Sequence, residues 1–503
     1  MLLPRTFIWG ILASLVSGRD LNRSNELLIH SPNFSVRGSY AANVSTPVRQ
    51  FLGIPYAEPP VGQHRFKSPK TKTPYQETLN ATAFGSVCMQ YDTGAPSVFS
   101  EYLPGQRVSV GMSEDCLTLN IWAPQASDIG DELLPVLIWI PGGALVSGGS
   151  AVPNTNGARF VESQKMIIIS LNYRANIFGF PGAAGLDGRH LNPGLLDQRK
   201  AVEWIYDNIA YFGGDPTKMT LFGQSAGGSS TDFWTYAWPD DPLVRGFIVM
   251  SGAVGNNQFA MNRTDNFTYV TEQIGYGDMS KDDELRCIQE TNGTEIIEVY
   301  NKYNASENEG AMLAFGAMAD DETIFTNWTE RRDRGLVSRL PMLIGSTSND
   351  YSSLYSPFDG SAPNQTEVGL LTDEVFNCRA RIASQARHNL NSSIWRYRYY
   401  GEWPNLNPLP WLGAYHASDI PMVFGTSDLY GGSNTPEEAD WSKYMQAAWA
   451  AFTKDPKHGL TRLGWPRYNE DEKTLVKLGV DGSARVVLAP GSEGDEGCGP
   501  GVG

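Results

Sequence analysis

The chain has 503 residues, with 55 acidic residues against 39 Lys and Arg, and a formal net charge of −16. This negative charge argues against nucleic acid and anionic membranes as partners, because both would repel the protein. Length alone would allow two or three domains. No Pro/Gly/Ser-rich linker, charge block or internal repeat divides the sequence, so we predict one domain over residues 19–490. The remainder, residues 491–503, is rich in Gly and acidic residues and is predicted to be disordered.

The N-terminal residues have the pattern of a secretion signal. Arg5 precedes an apolar run from Thr6 to Val16, which is too short to span a bilayer. Small residues then lead to a cleavage point after Gly18. We therefore predict a signal peptide over residues 1–18 and an extracellular protein. No later apolar segment reaches transmembrane length, so no stable membrane anchor is predicted.

Glycosylation signals support secretion independently. Each Asn-x-Ser/Thr triplet is weak alone, but their density is typical of a secreted glycoprotein. No triplet begins between residues 81 and 261, the segment that holds the presumed catalytic core. The eleven predicted acceptors are Asn22, Asn33, Asn43, Asn80, Asn262, Asn266, Asn292, Asn304, Asn327, Asn364 and Asn391.

Continuous apolar runs predict buried strands, since parallel strands covered on both faces have this pattern. Helical stretches alternate with these runs, for example residues 198–211 and 440–452. The alternation predicts an α/β fold with a large, mostly parallel central sheet flanked by helices. A site on such a sheet lies at the carboxyl ends of the strands. The runs begin at Leu134, Met166, Thr220, Gly246 and Pro341.

The most informative motif is Gly-Gln-Ser-Ala-Gly-Gly at residues 223–228, between a predicted strand and a predicted helix. The pattern Gly-x-Ser-x-Gly alone is weak. Its context fits a nucleophile elbow, a tight turn that lifts the Ser225 hydroxyl and aims the Ala226 N–H at a developing oxyanion. We predict Ser225 as the nucleophile.

Longer motifs surround the elbow. They read Phe-Leu-Gly-Ile-Pro-Tyr-Ala-Glu-Pro-Pro from residue 51, Ser-Glu-Asp-Cys-Leu-Thr-Leu-Asn from 113, Leu-Asn-Tyr-Arg-Ala-Asn-Ile-Phe-Gly-Phe from 171 and Asn-Pro-Gly-Leu-Leu-Asp-Gln-Arg from 192. Together they resemble the type-B carboxylesterases, the branch of the α/β-hydrolases that includes the cholinesterases and fungal secreted lipases. The resemblance, greatest to fungal carboxylesterases, runs from about residue 50 to about 488. It implies the α/β-hydrolase fold, a small-molecule ester substrate, an acyl-enzyme intermediate and no cofactor.

The chain order of a triad on this fold, serine then acid then histidine, leaves three candidate bases. His416 lies in Gly-Ala-Tyr-His-Ala-Ser-Asp from residue 413, which matches the catalytic histidine loop of the family. We therefore predict His416 as the base, and interpret His388 and His458 as surface residues.

The triad acid is expected after the strand that begins at Pro341. Asp350 aligns with the position where most relatives have Glu followed by Gly, but here Tyr351 follows. We predict Asp350 as the acid. In the alternative interpretation, Asp350 only forms a turn, and the acid is Asp321 or Asp373.

The resemblance also implies an oxyanion hole. Relatives carry His-Gly-Gly-Gly/Ala-Phe where this chain has Pro-Gly-Gly-Ala-Leu at residues 141–145. The implied donors are the N–H groups of Gly143, Ala144 and Ala226. Leu145 in place of Phe predicts a different pocket wall. Supporting roles carried over are a hydrogen bond from Ser251 to the acid and the ion pairs Arg174–Asp197 and Arg65–Glu114. Asp419, three residues after His416, is expected to play a structural part.

Five cysteines in a secreted chain indicate disulfides. The resemblance implies the bridge Cys88–Cys116, whereas the pairing of Cys287, Cys378 and Cys498 stays open. The sequence contains neither Cys-x-x-Cys nor His-Glu-x-x-His, so no metal site is predicted.

Three alternatives to a secreted carboxylesterase are weighed: a lipase of the same family, a non-catalytic cholinesterase-like binding protein and a cholinesterase. Binding-only relatives typically lack the serine, and an acidic surface does not define a choline site. A lipase would need an amphipathic lid within residues 89–115, where prolines and glycines oppose a stable helix. We therefore predict a preference for short or medium acyl chains, and assign no oligomeric state.

Overall fold

The computed structural model describes residues 25–75, 77–91, 96–186, 190–255, 264–305, 313–356, 358–480 and 485–499. The predicted signal peptide lies outside these residues, as do Asn22 and Asn262. In the described ranges, no helix is both long enough and apolar enough to cross a membrane.

The strands are β1 Leu28–His30, β2 Ser35–Arg37, β3 Ser39–Tyr40, β4 Val48–Pro55, β5 Thr78–Asn80, β6 Val87–Cys88, β7 Met112–Ser113, β8 Thr118–Pro124, β9 Leu134–Ile140, β10 Ile167–Leu171, β11 Gly214–Gln224, β12 Gly246–Met250, β13 Met342–Thr347, β14 Ile394–Tyr399, β15 Leu475–Leu478 and β16 Val487–Ala489.

Eleven strands form one sheet in the order β16-β15-β14-β13-β12-β11-β9-β10-β8-β4-β3. The central pairs from β10 to β15 are parallel, and the pairs at both ends are antiparallel. Each predicted apolar run lies on one of the central strands. Every residue of β10, β12 and β13 is buried, as expected of strands covered on both faces. This is the α/β-hydrolase sheet, so the predicted fold class is confirmed.

Helices cover the two faces. Side chains alternate along β9, so Val136 and Ile138 enter one hydrophobic core while Leu137 and Trp139 enter the other. Helix α4 packs into the first core and α13 into the second. The helices are α1 Val98–Tyr102, α2 Ala158–Gln164, α3 Asn176–Gly179, α4 Pro193–Asn208, α5 Ala226–Ala237, α6 Thr264–Gln273, α7 Lys281–Glu290, α8 Gly293–Ala305, α9 Trp328–Asp333, α10 Gln365–Thr372, α11 Cys378–Asn389, α12 Ile420–Phe424, α13 Pro436–Lys454 and α14 Gly459–Arg462.

Sequence signals at helix ends account for where the long helices begin. Helices α4 and α13 both have Pro in the first turn, where the missing N–H costs nothing. The side chain of Thr435 accepts from the Glu438 N–H, and Glu438 bonds back to the Thr435 N–H, closing a capping box before α13. The predicted helices at 198–211 and 440–452 therefore exist, with ends shifted by a few residues.

The covalent and ionic links confirm some expectations. The bridge Cys88–Cys116 is present. The expected pairs Arg174–Asp197 and Arg65–Glu114 are both formed. Of the three cysteines whose pairing was left open, Cys378 and Cys498 form a disulfide and Cys287 is a free thiol.

The prediction that residues from 491 onward are disordered is wrong for residues 491–499. Asp495 is buried and receives two hydrogen bonds from the guanidinium of Arg396 on β14, at 2.6 and 2.7 Å. Cys498 is tied to Cys378 at the start of α11. The segment is held by partners about 100 residues away, which local composition cannot reveal. Residues 500–503 lie outside the described ranges.

Candidate active site

Ser225 sits on the elbow between β11 and α5. Its backbone has φ 57° and ψ −126°, a strained conformation for a residue with a side chain. The Ser225 N–H donates to the Met250 carbonyl at 2.9 Å, which holds the turn against β12. A Cβ at Gly223 would lie 2.3 Å from the Gly227 carbonyl oxygen, and one at Gly227 would lie 2.0 Å from that of Ile140. The elbow therefore requires glycine at both positions, as the motif indicated.

His416 and Asp350 are in contact. The Nδ1 of His416 lies 2.7 Å from Oδ1 of Asp350, and both side chains are buried, with 4% and 0% of the residue exposed. The second carboxylate oxygen accepts from Ser251 Oγ at 2.8 Å and from the Thr347 N–H at 2.9 Å. A carboxylate bonded in this way keeps the Nδ1 proton directed toward it and leaves Nε2 as an acceptor. That tautomer is the one a general base needs.

Nε2 of His416 lies 3.0 Å from the side-chain amide nitrogen of Gln224. In the described structure Ser225 Oγ makes no hydrogen bond to His416, although both residues line the same cavity. The ring of Phe376 packs on the imidazole with centroids 5.0 Å apart. No role was predicted for Gln224 or Phe376 from the sequence. Gln224 directly precedes Ser225, so its position was a usable signal; Phe376 lies in no recognised motif.

The loop after β9 supplies two more backbone N–H groups. Gly143 has φ 121°, and a Cβ there would lie 2.1 Å from the Ser147 carbonyl oxygen. Within the described ranges, the N–H groups of Gly143, Ala144 and Ala226 donate no hydrogen bond. Ala226 is also the first residue of α5, where the helix dipole is positive. These three groups can therefore donate to an oxyanion.

The expectation that Leu145 forms a pocket wall is wrong. Its side chain is 3% exposed and belongs to the main hydrophobic core. The neighbours Ala144 and Val146 line the cavity instead. Positive φ angles at Ala144 and Leu145 turn the chain sharply, and this turn directs the Leu145 side chain inward.

In the described structure, none of the rejected candidates forms a hydrogen bond with the His416 imidazole. Asp321 is exposed and accepts from Thr326 of its own turn. Asp373 faces Arg398 at 3.6 Å. His388 and His458 are both exposed, as expected. The described structure therefore brings together Ser225, Asp350, His416 and Ser251, the four side chains chosen from sequence.

Asp419 is a buried carboxyl near this group. Burial, and secondly the charge of Asp350, raise the pKa of Asp419 to about 7. Its Oδ2 accepts from the Tyr397 hydroxyl at 3.1 Å, while Oδ1 has no hydrogen-bond partner among the residues that the structure describes. No group of three or more His, Cys, Asp or Glu side chains in the described part of the chain is arranged to hold a metal ion.

A cavity of about 630 Å³ opens above Ser225. One wall is the segment between the bridged Cys88 and Cys116, residues 89–115, which we call the rim loop. Its described residues contain a five-residue helix, α1, and the short strand β7, but no long amphipathic helix. The rim-loop residues that line the cavity are Gln90, Tyr91, Ser97, Phe99, Ser100, Gln106, Arg107, Val108, Val110, Gly111 and Met112.

Comparison with known proteins agrees with this geometry. The model of the carboxylesterase family matches residues 26–367 and 355–489. A chlorogenic acid esterase of Aspergillus niger is 37% identical over 495 residues, covering 94% of each chain. Secreted lipase 5 of Gibberella zeae is 34% identical over 482 residues, covering 88% of each chain. A solved PNB esterase superposes with a TM-score of 0.78 at 26% identity, over 94% of this chain and 99% of the other.

The sheet and the helices that flank it are those of an α/β-hydrolase. The chain belongs to the carboxylesterase family, and it is a carboxylic ester hydrolase.

Proposed function

We propose that this protein is a secreted serine esterase that cleaves carboxylic esters through an acyl-enzyme intermediate. Ser225 is the nucleophile, His416 the general base and Asp350 the residue that orients the imidazole. The observation that carries the proposal is the 2.7 Å contact between His416 Nδ1 and Asp350 Oδ1, in the cavity that Ser225 also lines.

The proposed first step forms the bond from Ser225 Oγ to the ester carbonyl carbon. His416 Nε2 takes the hydroxyl proton, which requires the Gln224 amide to give up its place at that nitrogen. The N–H groups of Gly143, Ala144 and Ala226 stabilise the resulting oxyanion. His416 then protonates the leaving alcohol as the carbon–oxygen bond breaks. Water, activated by the same imidazole, hydrolyses the acyl-enzyme and restores Ser225.

Replacing Ser225 tests this mechanism. Ser225→Ala is expected to lower kcat on p-nitrophenyl butyrate by at least about 10⁴-fold, since triad members act as a unit. The melting temperature should stay within about 2 °C of the parent, because the change removes one polar atom. The matched control is Ser163→Ala, an exposed serine on α2, which should leave kcat unchanged. Turnover surviving in Ser225→Ala would exclude the proposed nucleophile.

For the substrate, we propose soluble esters with short or medium acyl chains. The printed names of the two relatives differ here: one is a chlorogenic acid esterase, the other a secreted lipase. The five-residue helix of the rim loop offers little apolar face to an oil–water interface, which favours an esterase. Tributyrin assayed across its solubility limit should show simple saturation, and triolein emulsions should react slowly. A sharp rise in rate at the limit, with strong triolein hydrolysis, would favour a lipase.

Secretion and glycosylation are part of the same proposal. Two disulfides favour an oxidising compartment. Expression in a secretory host should yield a mature chain that begins at Arg19 and loses mass on glycosidase treatment. An intracellular product that retains residues 1–18 would contradict the proposal. The exposed acceptors in the described structure are Asn33, Asn43, Asn80, Asn292, Asn327, Asn364 and Asn391.

A further inference from the structure

The charges that line the cavity differ from those of the whole chain. The sequence has 55 acidic residues and 39 Lys and Arg. Yet no Asp, Glu or Lys occurs among the described residues that line the cavity. Apart from His416, the one ionisable charge there is the guanidinium of Arg107, on the rim loop. A cavity with this lining favours a negative group over a positive one.

The backbone around Arg107 is anchored to the walls of the site. The side chain of Gln106 donates to the carbonyl of Ala417, the residue after His416, at 3.1 Å. On the other side, Ser109 Oγ donates to the Ala151 carbonyl at 2.7 Å. The backbone on both sides of Arg107 is therefore held in place. It lies next to the loop that carries His416, the proposed general base.

Packing also fixes the turn over residues 104–106, which directly precedes Arg107. Gly105 is buried, and a Cβ there would lie 2.4 Å from Oδ1 of Asn154. The turn over residues 104–106 closes with the Arg107 N–H donating to the Pro104 carbonyl at 3.3 Å. Arg107 therefore has a defined place at the rim while its side chain remains exposed.

Among the described residues, none neutralises the guanidinium of Arg107 with a carboxylate. Its one hydrogen bond to a described residue is from Nη1 to the Ser100 carbonyl, at 3.3 Å. No carboxylate in the described ranges lies within ion-pair distance of Arg107. The buried arginines Arg174, Arg387 and Arg396 are each paired with an aspartate. Toward the residues that the structure describes, Arg107 therefore keeps unused donors, in the planar arrangement that matches a carboxylate.

We propose that Arg107 recognises a carboxylate on the ester substrate, so that the site prefers anionic esters over neutral or cationic ones. This inference rests on the proposed function, because it assigns a specificity-determining residue to the same site. The carboxylate belongs to a part of the ester that lies at the rim, away from the bond being cleaved. Arg107 offsets locally the repulsion that a chain of net charge −16 exerts on an anion.

Esters matched in size but not in charge test the proposal. To vary the charge of the leaving group, the anionic ester 4-acetoxybenzoate is compared with the neutral 4-acetoxybenzamide and with the cationic 4-acetoxyphenyltrimethylammonium. In the acyl group, the mono-p-nitrophenyl ester of glutaric acid is compared with the p-nitrophenyl ester of its monoamide. Each kcat/KM is divided by the rate of hydroxide-catalysed hydrolysis, which removes the intrinsic reactivity of the ester.

Arg107→Gln is expected to lower kcat/KM for the anionic member of at least one pair by about threefold, the range of an exposed charge pair. The loss should appear mainly in KM. The neutral member should change by less than about 1.5-fold. Arg107→Lys should retain only part of the preference, because the positive charge remains but the planar pair of donors is lost. Raising the ionic strength to about 0.5 M should shrink the preference of the parent but not that of Arg107→Gln.

The matched control is Arg37→Gln, which removes the same charge from an exposed strand residue that does not line the cavity. It should leave the anion-to-neutral ratio unchanged. An unchanged ratio in Arg107→Gln for both pairs, or equal losses on anionic and neutral esters, would overturn the inference. Because the neutral esters report catalysis separately, failure of the proposed function would instead appear as no turnover of any ester.

Discussion

The floor and the rim of the cavity are built in different ways. The floor consists of Ser225, Asp350 and His416, carried by the strand ends and by the loop before α12. Asp350 is fully buried and takes part in three hydrogen bonds. The rim loop has only short elements, and Tyr102 and Met112 are among its exposed side chains. Chemistry and substrate choice therefore depend on two regions that differ in how they are built.

The difference follows from how each region is held. The elbow and the Asp350 turn are continuous with sheet strands, so moving them would break buried backbone hydrogen bonds. The rim loop is held at its base by the two-residue pairing of β6 with β7 and by the bridge Cys88–Cys116. We therefore expect floor substitutions to change kcat, and rim substitutions to change KM and selectivity.

The largest effect is expected when the floor loses its carboxylate. Asp350→Asn should lower kcat by about 10³–10⁴-fold, because an amide at this position favours the wrong imidazole tautomer. KM for a small ester should change less than threefold. Steady-state kinetics on p-nitrophenyl acetate test this, with Asp321→Asn as a matched control that should keep full activity. Near-normal turnover in Asp350→Asn would place the acid elsewhere.

Removing the disulfide at the base of the rim loop should lower the free energy of unfolding but leave kcat nearly unchanged. The bridge Cys88–Cys116 closes a loop with a sequence separation of 28 residues, for which chain entropy predicts about 3–4 kcal/mol. The double variant Cys88→Ser/Cys116→Ser should unfold at lower denaturant, while kcat on p-nitrophenyl acetate stays within about threefold. If kcat collapses while the fold is retained, the rim is part of the catalytic geometry and the comparison fails.

The buried Asp419 gives the floor a pH-dependent stability. Burial raises its pKa to about 7, far above the unfolded value near 4. Between about pH 4 and 7, the folded state therefore binds more protons than the unfolded state. The free energy of unfolding falls as the pH rises through this range. Between pH 4.5 and 8, the free energy of unfolding of the parent should fall by about 3 kcal/mol more than that of Asp419→Asn. Denaturant titrations at both pH values test this; parallel pH curves would contradict it.

A smaller effect is expected from charging the neighbour of the imidazole. Gln224→Glu would place a carboxylate within about 3 Å of Nε2, which favours the protonated, inactive imidazole. The pH at which kcat/KM is half-maximal should rise by about one unit, with activity near pH 8.5 largely retained. Gln224→Leu serves as the uncharged comparison and should show no such shift. An unchanged profile in Gln224→Glu would mean that this contact does not persist in solution.

Much of the floor could be predicted because its determinants are local in sequence. The elbow requires glycines beside Ser225, and a tight turn imposes that requirement on any chain. Asp350 follows a buried apolar run, so its place at a strand end could be inferred from periodicity and chain order. His416 lay in a motif of its own. The chain order of the triad limited the candidates, and the resemblance to the family then selected His416 and Asp350 among them.

What could not be predicted depends on contacts between distant segments. The packing of Phe376 on His416 and the anchoring of Asp495 by Arg396 join residues that no local pattern connects. Leu145 was misassigned because substitution in a motif does not reveal which way a turn directs the side chain. The place of Arg107 on the rim of the cavity likewise became apparent only once the lining of the cavity was known.

The central claim is that Ser225 attacks the ester, and covalent labelling tests it most directly. The purified protein is treated with a fluorophosphonate, measured by intact mass and digested for peptide mapping. We predict a single adduct on the peptide that contains Ser225, together with complete loss of p-nitrophenyl butyrate hydrolysis in proportion to labelling. An adduct on another residue, or labelling that persists in Ser225→Ala, would contradict the account.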